Sequence, residues 1–237
     1  MLRGINRQDL FEDDEDKQRF IETLKTYKEK SGFSLYAYCL MSNHIHLLLK
    51  EEKEPISLII KRISSSYVYY YNWKHSRCGH LFQERFKSEV VEDDSYFLTV
   101  LRYIHQNPVK AKIIKEIEKY KWSSYNEYTC ESKMVDTNYA LAIFAEEKVA
   151  AIKSFINFNN MKNQDKCLEY EVIKRIDDRE ARSIIKKIAK VKNLNEIQGF
   201  DKEKRDEIIA QIKEIEGLSI RQIARITGLN YNLIQKL

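Results

Sequence analysis

Between residues 13 and 31 the chain reads DDEDKQRFIETLKTYKEKS, with Phe20, Ile21, Leu24 and Tyr27 on one stripe three and four positions apart. That spacing predicts an amphipathic helix, and the acids at its start lie favourably against the positive end of the helix dipole. Gly32 ends it. The β-prone run FSLYAYCLM follows, then Ser42-Asn43 as a tight turn, then HIHLLLKEE as the partner strand of a hairpin. Pro55, well tolerated at a first helical position, opens a second long helix, PISLIIKRISSSYVYYYNWKHS. RFKSEVVE reads as another strand. Asp93 and Asp94 offer an N-cap to a helix over SYFLTVLRYIHQN, stopped by Pro108.

The order helix, strand, strand, helix, strand, helix describes an α+β unit, an antiparallel sheet with helices packed on it. The opening MLRGINRQD reads as the end of a further strand, so the first strand of the sheet is expected to be truncated. From about Asp136 the pattern changes to Lys, Glu, Ile and Ala at helical spacing. A mixed domain over residues 1–130 is therefore expected before an all-helical region over 131–237. The closing stretch EGLSIRQIARITGLNYNLIQKL carries a helix-turn-helix pattern at about 218–237. Ser219 caps a first short helix that buries Ile223, Ala224 and Ile226, Gly228 makes the turn, and Leu229, Leu233 and Ile234 fit a second helix. A plain helical hairpin is the alternative.

Composition narrows the class. With 43% hydrophobic and 32% charged residues the chain is globular rather than disordered. No run approaches the length of a membrane span and the first residues form no signal peptide, so a cytoplasmic protein without membrane contact is expected. Cys39, Cys78, Cys130 and Cys167 are scattered and form no CxxC pair, which argues against a disulfide framework or a zinc knuckle. A net charge of +5 is compatible with a polyanionic partner.

Two positions change the picture. On a strand, His44 and His46 face the same way, about 7 Å apart at Cα, and both imidazoles can converge on one metal ion. A hydrogen-bonded pair at a sheet surface is the competing reading. On the helix before Pro108, Tyr103 and Asn107 lie four residues apart and so share a face, at the edge of a core stripe of Tyr96, Phe97, Val100, Leu101 and Ile104. A phenol and an amide one turn apart present a nucleophile and an oxygen ligand to the same space. His105 falls on another part of the helix and is expected at the surface or facing DNA.

The blocks SNHIHLLL, GHLFQERFKS, YFLTVLRYIHQNPVKA and WSSYNEY, in this order over about residues 3–128, resemble the HUH-type single-tyrosine transposases, above all the REP-associated tyrosine transposases. The resemblance implies a ferredoxin-like or RRM-like HUH domain. It implies that His44, His46 and Asn107 hold a divalent cation, Mg²⁺ or Mn²⁺, and that Tyr103 is the catalytic nucleophile. It implies a metal-dependent DNA transposase that cuts and transfers single-stranded or hairpin DNA through a 5′-phosphotyrosine, as a monomer or a homodimer. Arg3, Arg7, Lys61, Arg62, Arg85, Lys87 and Arg102 are candidates for phosphate contacts, and duplex DNA is a further partner through the C-terminal helix-turn-helix. Tyr67, Tyr69, Tyr70, Tyr71 and Trp73 could stack unpaired bases, although the spacing of Tyr67, Tyr70 and Tyr71 favours the core. Two readings remain open beside it: a DNA-binding, regulatory relative with impaired catalysis, and a metal-dependent phosphodiesterase.

Overall fold

The computed structural model describes residues 1–83, 85–165, 167, 176–215 and 217–236, which form two compact units, Met1–Glu169 and Tyr170–Leu237. In the first, a three-stranded antiparallel sheet has the order β1 (Leu2–Arg3), β3 (His44–Lys50), β2 (Ser34–Leu40). The β2–β3 hairpin turns at Ser42-Asn43, closed by Met41 N–H donating to His44 O at 2.9 Å. Its register sets Cys39 opposite His46 and Leu40 opposite Ile45, and β1 extends the sheet with Arg3 opposite His44. The histidine strand is therefore central, held on both sides where the histidines sit.

Helix α1 (Asp14–Ser31) starts because the Asp13 carboxylate accepts from Asp16 N–H at 3.0 Å, and stops because Gly32 adopts a left-handed conformation. Helix α2 (Ile56–Lys74) packs on α1 through Tyr67, whose ring centre lies 5.2 Å from that of Phe20. Helix α3 (Asp94–Lys110) is capped by Asp93 and lies on the face of the sheet from which His46 projects.

Three expectations are corrected. Pro108 does not stop α3, which runs on to Lys110; a proline in the last turn removes a single backbone donor, and Ala111 N–H still closes on Asn107 O at 2.9 Å. RFKSEVVE is not a strand. Just before it, Phe82 bridges Gly4 and Gln83 N–H donates to Arg3 O, and within it Lys87 N–H donates to Met1 O. A β1 of two residues offers too short a ladder for a longer pairing.

The third correction concerns the boundary at residue 130, because the first unit continues well beyond it. Asp136 trades backbone and side-chain hydrogen bonds with Leu35 on β2 and pairs with Lys28 at 2.7 Å. Helices α4 (Tyr125–Thr129), α5 (Thr137–Phe144) and α6 (Lys148–Asn160) then join the same core, with Phe155 stacked on Tyr128 at 4.5 Å. Only the region after this is separate and all-helical: α7 (Asp178–Ala189), a 3₁₀ turn (Leu194–Gly199), α8 (Lys202–Lys213), α9 (Ile220–Thr227) and α10 (Tyr231–Lys236) around an aliphatic core. No helix among the described residues is long and apolar enough to cross a membrane.

Candidate functional site

Strand alternation and helical spacing bring four residues together. The His44 and His46 rings stand edge to face with centres 5.0 Å apart. The His46 ring meets Tyr103 in the same manner at 5.5 Å. Asn107, one turn along α3 from Tyr103, donates its side-chain N–H to the Tyr103 carbonyl at 2.9 Å, and its amide lies near His44, whose charged form it favours. Tyr103 is 6% exposed, with the Lys110 ammonium 5.0 Å from its ring centre.

Burial sets the charge state. It pushes His44 down to about 4, helped by the Arg3 guanidinium across the ladder, and drives His46 well below its ordinary value. Both imidazoles are neutral near pH 7 and keep a lone pair for a cation. His44 Nδ1 lies 2.7 Å from Asn43 Oδ1; donating there fixes the tautomer and leaves the Nε2 lone pair free to bind a cation. Among the described residues no cluster of three or more His, Cys, Asp or Glu could hold a metal. Two imidazoles and an amide oxygen form a mixed nitrogen and oxygen donor set that could hold a divalent cation.

A small cleft of about 50 Å³ reaches His46 and Tyr103 past Glu89, Val91 and Cys167. Beside it lies an apolar groove of about 580 Å³, lined among others by Leu47, Leu49, Ile60, Phe86, Phe97 and Tyr139.

The residues that hold α3 in place were not legible as such. His105 is neither at the surface nor facing DNA; it is fully buried, and burial pushes it down to about 3. Its Nε2 lies 2.9 Å from Ser124 Oγ, the hydroxyl that accepts from Tyr38 N–H on β2 at 2.9 Å. Its Nδ1 lies 3.3 Å from Asn159 Oδ1. Gln106 donates to the carbonyls of Asn159 and Met161. Arg102 is committed to Asp165 through two hydrogen bonds, at 2.8 and 3.2 Å, and lies 4.0 Å over Phe158. It is a structural residue rather than a surface cation. The one local signal was that residues 102, 106 and 110 form a polar stripe beside the Tyr103–Asn107 stripe.

The other basic candidates are dispersed. Arg62 pairs with Glu54 at 2.7 Å. Arg7, Lys61, Arg85 and Lys87 are exposed, and Arg3 adjoins His44. Of the aromatic run, Tyr67 and Tyr71 are core, whereas Tyr69 and Trp73 are 79% and 75% exposed on the outer face of α2.

Residues 1–107 match the family described as IS200-like transposases. A curated protein of Haemophilus influenzae, named among the REP-associated tyrosine transposases, is 25% identical over 118 residues, 45% of this chain and 67% of its own length. A solved structure of a REP-associated tyrosine transposase bound to a REP hairpin overlays with a TM-score of 0.49 at 16% identity, covering 55% of this chain and 76% of that one. The family match ends at residue 107 and so includes His44, His46, Tyr103 and Asn107.

Proposed function

We propose that residues 1–107, which match the IS200-like transposase family, form a transposase domain, and that the chain cuts and rejoins single-stranded DNA, folded as a hairpin, through a covalent tyrosine link. The observation that carries the reading is the contact of the His46 ring with Tyr103 at 5.5 Å, with the His44 ring 5.0 Å from that of His46 and the Asn107 amide bonded to the Tyr103 carbonyl. The proposed nucleophile and one proposed ligand, His46, thus line one cleft.

Tyr103 Oη attacks a backbone phosphorus, and the bond to the 3′-oxygen breaks as the bond to tyrosine forms. The phenol proton leaves to solvent and the departing 3′-oxygen takes one up. The resulting 5′-phosphotyrosine retains the energy of the broken bond, so a second 3′-hydroxyl reverses the step on another strand without ATP. His44, His46 and the Asn107 oxygen would hold Mg²⁺ or Mn²⁺, which supplies charge stabilisation at the phosphate and orients the scissile bond. Arg3 and Lys110 flank this site and reinforce the positive field around the phosphate. The apolar groove beside the cleft offers unstacked bases a dry surface, which favours a single strand over a duplex at the site.

The test uses labelled hairpin DNA from the sequence flanking the gene, with Mn²⁺ or with EDTA, run on a denaturing gel. A metal-dependent protein–DNA band in the wild type and none in Tyr103→Phe is the expected outcome. Cleavage without a covalent band would instead identify a phosphodiesterase. Binding without cleavage would identify a regulatory relative.

A further inference from the structure

The charge of this chain is unevenly placed. Residues 170–237 carry 15 Lys and Arg against 11 Asp and Glu, so a net +4 of the chain's +5 belongs to the C-terminal unit. The residues described around Tyr103 belong to the first unit, and the excess of cations in the second needs a role of its own.

Its last two helices have the form of a reading head. Ser219 caps α9 by accepting from Gln222 N–H, and Gly228 ends it with φ of 71°. The turn Gly228–Asn230 is pinned from outside: Gln198 donates its side-chain N–H to Thr227 O at 2.9 Å, packed so closely that a Cβ on residue 228 would overlap it. Asn230 Oδ1 then accepts from Asn232 N–H at 2.8 Å and starts α10. Ile223, Ile226 and Ile234 are buried beneath, so the opposite side of α10 is fixed in orientation and turned outward. That side is Tyr231, Asn232, Gln235 and Lys236, all exposed. Among the described residues, neither the Asn232 nor the Gln235 side chain has a hydrogen-bond partner. An exposed helix face bearing two amides, one phenol and one ammonium, on a cationic support, is complementary to base edges flanked by phosphates rather than to an apolar protein surface.

We propose that the C-terminal unit is a second, separate DNA-binding site, specific for duplex DNA, with α10 in the major groove. Asn232 and Gln235 read adenine, whose N7 and N6 match a carboxamide in a bidentate pair. Arg221 on α9 and Lys236 contact phosphates, with α9 crossing the backbone. The site owes nothing to the chemistry proposed at Tyr103, and it would let one chain grip a duplex while its other unit works on a single strand.

The experiment selects 25-base-pair duplexes from a random pool with the full chain, then measures binding of the selected and a scrambled duplex by fluorescence anisotropy over a salt series. The wild type is expected to enrich an A·T-containing motif, and Tyr103→Phe to behave identically. Asn232→Ala with Gln235→Ala should reduce the preference for the selected duplex about tenfold or more. Arg221→Ala with Lys236→Ala should weaken both duplexes alike and lower the salt slope by about two. These four positions are exposed, and circular dichroism will register any variant that fails to fold. Duplex binding unchanged in both double variants, or no enriched motif, overturns the proposal. So does loss of self-association, seen by sedimentation, in place of loss of DNA binding, since the face would then pair with a second copy.

Discussion

The two units of this chain solve different problems with different interiors. In the first, the buried polar side chains include Asp16, His105, Ser124 and Asn159, each hydrogen-bonded to side chains or backbone far away in sequence. In the second, among the described residues, the buried polar side chain is Thr227, and the rest of the core is isoleucine, leucine and alanine. The site proposed to hold a nucleophile against metal ligands requires fixed directions, which hydrogen bonds supply and apolar packing does not. A surface that only presents exposed side chains can rest on a plain aliphatic core. The first unit is also close to neutral, whereas the second carries most of the net positive charge.

If that contrast is right, removing a buried polar group should damage the first unit alone. His105→Ala takes one hydrogen-bond partner each from Ser124 and Asn159 and opens a cavity among Tyr125, Tyr128 and Phe155, so we expect a loss of about 3 kcal/mol. Differential scanning calorimetry should show the transition of the first unit falling and that of the second unmoved; a common shift would mean the units unfold as one. Gly228→Val is the reciprocal test. A β-branched residue at positive φ, against Gln198, should cost the second unit about 2–3 kcal/mol while covalent band formation persists.

Arg102→Ala sharpens the comparison within the first unit. It removes a two-pronged, half-buried pair with Asp165 and should cost about 1–2 kcal/mol, and single-turnover band formation should slow more than DNA binding weakens. A variant that binds and reacts normally would show that α3 does not need this anchor. The smallest effect is expected at Ser219→Ala, where loss of the α9 cap costs about 1 kcal/mol and is confined to the second transition.

What the sequence made legible follows the reach of each interaction. Period-two alternation set His44 beside His46, and period-four spacing set Tyr103 beside Asn107, because both rules operate within a few residues. The hairpin, α1 and α2 were legible for the same reason. The anchors were not. Arg102 looks like any helix-surface arginine until Asp165, far along the chain, is folded against it. His105 looked exposed because α3 was read as having one buried face, whereas α4 and α6 bury a second. RFKSEVVE has strand composition, but strand formation depends on a partner edge that β1 supplies for only two residues. The boundary placed at 130 failed likewise, since nothing local announces that Asp136 will bind Leu35.

The Ser124 hydroxyl has a consequence for precision. It is bonded at once to Tyr38 on β2 and to His105 on α3, one residue from the rung that carries His46 and two from Tyr103. The proposed ligand His46 and the proposed nucleophile Tyr103, on separate elements, would normally drift apart by the summed play of every loop between them. Here both are measured from one common datum, as two parts of an instrument are bored from a single reference hole. Errors in the surrounding helices then displace ligand and nucleophile together, and the gap between them keeps its tolerance.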